Sequence, residues 1–305
     1  MKKGARFLLS MLMLCAVSLS AGCPGKQGEL ERDAKAVHRS GTGNRIVTSF
    51  YPMYIMTINV TKGIGEVRVS NLTPPTIGCL HDYSPTTAEM KKLDNADIFV
   101  TNGAGMESFL DKVARQNPRI AIVRLAEGIP LLKGAQGENP HVWVSISHAI
   151  SEVENLKKAL ISLDPVHAGA YKQNADAYIS RLAALRTEMV RELAPYRGAR
   201  IITFHEAFPY FAREFGLIIA AVVEREPGSA PNARELAESI DSIKKKEVKA
   251  LFSEPQYPAS AADAIARETG MKIYVLDPAV TGPDDPDAYI RIMEQNLKTL
   301  QEALK

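Results

Sequence analysis

Apolar residues recur at three- and four-residue steps from Tyr171 through Ala175, Tyr178, Leu182, Leu185 and Met189 to Leu193. That period marks a helix with one buried stripe. It predicts a continuous helix over residues 164–195, with Asp164 capping its N-terminus and Pro165 in its first turn. At 1.5 Å per residue such a helix is roughly 45 Å long. On either side, short strand-like apolar runs alternate with helical patterns. Before it, strands are expected at 45–50, 66–72, 97–100 and 120–123, and helices at 51–60, 84–93, 106–115 and 146–163. After it, strands are expected at 200–204, 217–223, 249–253 and 272–276, and helices at 207–215, 232–246, 259–269 and 286–304. Prolines keep residues 73–78 out of any central strand, and 134–140 reads as a loop. This alternation implies parallel sheets flanked by helices. The expected fold is α/β: an N-terminal lobe (45–163), one long rigid linking helix (164–195) and a C-terminal lobe (196–305). A continuous helix has no hinge of its own, so small lobe adjustments are expected rather than wide closure.

The first residues follow a different pattern. Lys2, Lys3 and Arg6 precede an apolar run from Phe7 to Val17, and the small residues Ser20, Ala21 and Gly22 lead to Cys23. That layout predicts a secretory signal over residues 1–22, too short for a permanent membrane span. Gly22-Cys23 is similar to a bacterial lipobox, so Cys23 is the expected lipidation site, with Ser20 departing from the usual leucine. Residues 23–44 are polar and Gly-containing, as in a flexible tether, and His38 lies there as a solvated side chain. No later run of apolar residues is long enough to cross a bilayer, so the body is expected to be soluble.

Composition narrows the function. The chain of 305 residues is 46% hydrophobic, enough for two cores, and its formal net charge is +2. Without the first segment the charge turns slightly negative. No basic run interleaved with aromatics is present, so nucleic acid is not an expected partner. Of the three cysteines, Cys15 lies in the signal and Cys23 is the lipidation site, which leaves Cys79 without an intramolecular disulfide partner.

Candidate chemistry sits in loops and at strand ends. His205 and Asp277 each follow an apolar strand, and His81 and His141 lie in Pro-containing loops of the first half. In open α/β sheets ligands bind beyond the carboxyl ends of the strands. If both halves face one cleft, three imidazoles and a carboxylate form a tetrahedral set suited to Zn²⁺. The four residues are 60, 64 and 72 positions apart. Spacing therefore leaves open the alternative of four unrelated polar loop residues.

Seven segments carry a resemblance. Thr48-Ser49-Phe50-Tyr51-Pro52, Pro74-Pro75, His81-Asp82-Tyr83-Ser84-Pro85-Thr86 and Asn102-Gly103-Ala104-Gly105-Met106-Glu107 occur in order in the first half. Asn139-Pro140-His141-Val142-Trp143, His205-Glu206-Ala207-Phe208 with Tyr210-Phe211, and Leu276-Asp277-Pro278 follow. Together they resemble the zinc/manganese substrate-binding lipoproteins of bacterial ABC importers. The resemblance covers the chain from about Ile46 to its end. It implies two α/β lobes joined by a rigid helix, with the metal between them. It places the ligands at His81, His141, His205 and Asp277. Its partners are a membrane permease and a cytoplasmic ATPase. It implies a monomer anchored by lipid to the outer face of the cell membrane, on the periplasmic side where an outer membrane exists. Histidine at the third ligand position is similar to zinc-type members, where manganese binders usually have Glu.

Physical chemistry agrees, since imidazole suits zinc and carboxylate oxygen suits manganese. Many zinc-type members carry a His-rich loop before the second ligand, whereas residues 133–139 contain no histidine. Manganese or another divalent ion therefore stays open. Cys79 stands two residues before His81, and thiolate is a zinc ligand. The family places no cysteine there, so a buried or shielded thiol is expected. His148 and His167 read as surface or capping residues, and Trp143 as core. Asp82, Glu206 and Glu254 are candidates to orient the imidazoles. The rival class is a secreted zinc metallohydrolase, but a metalloprotease helix after His205-Glu206 needs histidine at 209, where Pro209 stands. No phosphate loop or nucleophile elbow occurs. Four protein ligands close a site, which suits capture over catalysis. A surface adhesin with a structural metal is the remaining alternative.

Overall fold

The computed structural model describes residues 44–81, 83–134, 137–223, 248–256 and 266–305. The signal, Cys23, the tether with His38, Asp82, the turn-rich loop 226–231, the helix expected at 232–246 and residues 259–265 lie outside the described residues.

In the first half, β1 (Arg45–Thr48) is followed by α1 (Tyr51–Val60), β2 (Arg68–Asn71), α2 (Thr87–Asp94), β3 (Ile98–Thr101), α3 (Leu110–Gln116) and β4 (Ala121–Arg124). The strands form a parallel sheet in the order β2-β1-β3-β4. Every residue of β3 is buried, as expected of a strand covered on both faces. Where a plain loop was expected, β5 (Lys133–Gly134) and β6 (Gly137–Glu138) pair antiparallel. Such two-residue strands carry no readable alternation. A single 3₁₀ turn (Val142–Val144) then leads into α4 (Ile146–Leu163).

The long helix is α5 (Ala168–Leu193). All seven residues of its sequence stripe are buried. It is shorter than expected, because residues 165–167 form a 3₁₀ turn before it. The expected cap is not made. The Asp164 carboxylate instead accepts from Asn44 Nδ2 at 2.7 Å and Tyr171 Oη at 2.8 Å, and lies 2.7 Å from His167 Nδ1. These side-chain donors outcompete the backbone N–H groups and hold its pKa below the usual carboxylate range, against the opposing effect of burial.

Beyond α5 come β7 (Arg200–Thr203), α6 (Pro209–Phe215), β8 (Ile218–Val222), β9 (Ala250–Ser253), β10 (Ile273–Val275) and α7 (Ala288–Leu304). The second sheet is also parallel, in the order β8-β7-β9-β10. Both sheets thus repeat one topology: the first strand sits between the second and third, and the chain reverses direction across the sheet there. One apolar cluster runs through residues of both sheets and the α5 stripe. Among the described residues no helix is long and apolar enough to cross a membrane.

Polar bonds fasten the lobes further. Tyr51 Oη donates to the Pro283 carbonyl at 2.8 Å, Asn59 Nδ2 to that of Pro286 at 2.8 Å, and Tyr289 Oη to that of Trp143 at 2.7 Å. Gly282 passes against Tyr51 with φ +157°, and a Cβ there would lie 2.4 Å from Tyr51 Oη. Gly282→Ala is expected to cost about 1–3 kcal/mol, the range of overpacked sites. Tyr51→Phe in the same chain should recover part of that loss, read as a coupling in denaturant unfolding.

One buried group opposes folding. Glu152 on α4 is fully buried, and neither carboxyl oxygen has a hydrogen-bond partner. Burial, then the nearby charge of Glu107, pushes its pKa well above the usual value. A raised folded-state pKa leaves stability intact below the unfolded pKa of about 4.3 and erodes it as pH rises through the folded value. Glu152→Met should therefore stabilise the protein by about 1–3 kcal/mol at pH 7 and flatten the decline above pH 4.3. Equilibrium unfolding at several pH values measures both.

Candidate metal centre

Three strand ends and two loops carry the candidate residues. β7 carries Phe204 into the core and delivers His205, whose backbone carbonyl accepts from Thr203 Oγ1 at 3.0 Å. β9 delivers Glu254, and β10 leads through buried Leu276 to Asp277. β7 and β9 flank the point where the second sheet reverses its order, so His205 and Glu254 stand where such sheets bind ligands. His141 comes from the first lobe, immediately before the 3₁₀ turn. His81 follows Leu80, whose N–H meets the Met106 sulfur at 3.4 Å. Two residues on, Tyr83 Oη donates to Glu89, which also closes a capping box with Thr86 at the start of α2.

The three histidines converge. His81 Nε2 and His141 Nε2 are 3.2 Å apart. The ring centroids of His141 and His205 are 4.7 Å apart, and those of His81 and His205 6.3 Å. Zn–N distances of 2.0–2.1 Å place two ligand nitrogens about 3.3 Å apart in a tetrahedron, close to the His81–His141 separation. His141 is 2% exposed and His205 is fully buried. Burial, and then the proximity of His205 and His81, holds the His141 pKa well below the ordinary imidazole range. The ring is therefore neutral at neutral pH and ready to donate a lone pair.

Asn139 decides which nitrogen is available. Its Nδ2 donates to the Glu206 carbonyl at 2.8 Å, which fixes the amide orientation. Its Oδ1 then accepts from the His141 N–H at 3.0 Å and faces His141 Nδ1 at 3.0 Å. A carbonyl oxygen only accepts, so His141 carries its proton on Nδ1 and turns the Nε2 lone pair toward His81. Glu254 acts likewise on His205: its Oε2 lies 3.4 Å from Nδ1, and it is 4% exposed.

Asp277 has a different setting. Its Oδ1 accepts from the Ala279 N–H at 2.8 Å. Ala279 adopts φ +58°, a left-handed conformation that costs a residue with a Cβ about 1–2 kcal/mol. Burial, aided by the Glu254 charge and opposed by the Ala279 N–H, pushes the Asp277 pKa up to about 6. Its loop is tied to the first lobe by Trp143 Nε1, which donates to the Pro278 carbonyl at 2.9 Å. Trp143 is core, as expected, and its ring lies 5.3 Å from that of His141.

A donor set that includes a sulfur also stands here. The Cys79 sulfur, one nitrogen of His141 and one of His205 all lie within 4.8 Å of one another, and neither His81 nor Asp277 is in that set. Cys79 is half-buried. The remaining histidines stand apart: His148 packs edge-on against Tyr210, and His167 is held by Asp164. Glu206 meets Asn139 through its backbone carbonyl, while its carboxylate lies against Gly134. Asn139 was the residue not foreseen. Its trace in the sequence is an amide two positions before a histidine, a spacing suited to an Asx turn.

A family profile described as "Zinc-uptake complex component A periplasmic" matches residues 46–303. The high-affinity zinc uptake system protein ZnuA of Bacillus subtilis (strain 168) is 29% identical over 307 residues, covering 94% of each chain. Among solved structures, the SBP FpvC from Pseudomonas aeruginosa in complex with Mn²⁺ is 33% identical with a TM-score of 0.79, covering 86% of this chain and 98% of FpvC. Zn(II)-bound AdcA from Streptococcus pneumoniae is 29% identical with a TM-score of 0.76, covering 86% of this chain and 58% of AdcA, so the present chain spans little over half of that protein. Two parallel sheets, one long joining helix and a match across residues 46–303 make the conclusion plain: the chain belongs to the family of the periplasmic zinc-uptake complex component A.

Proposed function

We propose that the chain is the extracytoplasmic substrate-binding component of an ABC importer, capturing Zn²⁺ and delivering it to a membrane permease driven by a cytoplasmic ATPase. The ion is cargo, and the protein is a binder, not an enzyme. His81, His141, His205 and Asp277 hold it, and a lipid on Cys23 keeps the monomer at the outer face of the cell membrane. The single observation that carries this reading is the convergence of His81, His141 and His205 from both sides of α5, with 3.2 Å between two Nε2 atoms. The neutral His141 ring, two further imidazoles and a carboxylate form a zinc-binding set. The names of ZnuA and Zn(II)-bound AdcA support zinc as the cargo.

Manganese is the second reading. FpvC was solved with Mn²⁺, and residues 133–139 lack a histidine-rich stretch. Competitive titration of zinc against manganese on the purified mature chain separates the two, with Trp143 fluorescence as a companion signal. Zinc should win, and His205→Ala should weaken it by more than about 100-fold. Full zinc affinity in that variant would overturn the site. Affinity should also fall as pH drops from 7 toward about 5, where protons compete for the imidazoles. A flat profile would count against histidine ligands.

Glu254→Gln keeps the volume of the side chain but removes its charge beside His205. Zinc affinity should fall about 10–100-fold, as for other groups that orient a ligand, and less than in His205→Ala. Isothermal titration of both variants checks that order.

A further inference from the structure

We propose that Cys79 is a direct ligand of the captured ion, and that its thiolate biases the site toward zinc over manganese. This rests on the zinc-binding reading above and adds a ligand that the family resemblance does not contain.

The geometry comes first. The Cys79 sulfur and one nitrogen each of His141 and His205 lie within 4.8 Å of one another. Zn–S near 2.3 Å and Zn–N near 2.0–2.1 Å require S···N separations of about 3.5 Å, so only a small contraction separates this set from coordination. His81, outside that set, places its Nε2 3.2 Å from His141 Nε2. The sulfur is also positioned by its surroundings. Leu80, the next residue, is fully buried and tied to Met106. Cys79 itself is half-buried and lines a cavity of about 310 Å³, together with Glu254, Gln256, Val280 and Thr281 of the second lobe. The thiol therefore lines the same cavity as Glu254, whose carboxylate faces His205.

The chemistry follows. Thiolate is soft and suits zinc, while manganese favours oxygen. An ion that binds sulfur must displace the thiol proton, which leaves to solvent. Asp277, outside the tight donor set, supplies the oxygen on which a manganese ion would depend. Cys79 and Asp277 thus act on opposite sides of metal choice.

Cobalt replaces zinc as a spectroscopic probe, because sulfur bound to Co²⁺ gives a thiolate-to-metal charge-transfer band in the near ultraviolet. The mature chain loaded with Co²⁺ should show that band, and Cys79→Ser should lose it. The same variant should bind zinc at least about tenfold more weakly while its manganese affinity stays unchanged. Absence of the band in the wild-type chain, its persistence in Cys79→Ser, or an unaltered zinc-to-manganese ratio in that variant would each overturn the proposal. His141→Ala separates the two levels. If His141→Ala abolishes cobalt and zinc binding but Cys79→Ser changes nothing, the thiol role alone fails. If His141→Ala binds normally, the site reading itself fails.

Discussion

Everything at the candidate centre depends on one constraint: side chains from two lobes must be held in register by an apolar core that the lobes share. His81 and His141 precede α5 in the chain, and His205 and Asp277 follow it. The α5 stripe packs into a cluster that includes Ile46, Phe99, Ile201 and Phe252, from strands of both sheets. Close-packed interiors transmit strain and do not slide freely. A displacement of one lobe would therefore have to open that core before it could separate the imidazoles.

Directional bonds refine what the core holds coarsely. Asn139 illustrates this. Its amide donates to the Glu206 carbonyl of the second lobe, its own carbonyl accepts from Tyr210 Oη at 2.7 Å, and its side-chain oxygen selects the His141 tautomer. Trp143 plays the same part for the Asp277 loop through Pro278. Glu214 of the second lobe accepts from Ser145 and Ser147 at the start of α4 and pairs with Arg186 of α5 at 2.7 Å. One short stretch, residues 139–147, thus sets a ligand, its tautomer and the lobe contacts. Local changes in loops such as the one bearing Cys79 are far less constrained by these bonds than lobe rotation is.

Much of this was legible in the sequence because it rests on periodicity. The α5 stripe is a repeated pattern over many residues, and the buried strands are apolar runs ending on a polar residue, which is how His205 stood out. The parts that were not legible depend on contacts between distant residues. Asp164 looked like a helix cap, and only the fold brings Asn44 and Tyr171 to its carboxylate. The β5–β6 pairing is too short for an alternating pattern. Glu152 lies on the buried face of α4, where helical spacing alone cannot tell a tolerated acid from a solvated one. Cys79 carried the right chemistry for zinc, but nothing in its neighbours in sequence reveals that its sulfur faces His141 and His205.

The electrostatics of the centre explain why a dication belongs there and why the site suits capture. Burial raises the Asp277 pKa, and the Glu254 charge adds to it in a low-dielectric setting. His141 is depressed for the converse reason, because an added proton would sit beside two other imidazoles in a buried place. Both shifts record one condition: burial at this centre favours the neutral forms of His141 and Asp277. A divalent ion reverses each penalty, stabilising the ionised carboxylate and coordinating the neutral imidazole. Metal binding and proton release are consequently linked.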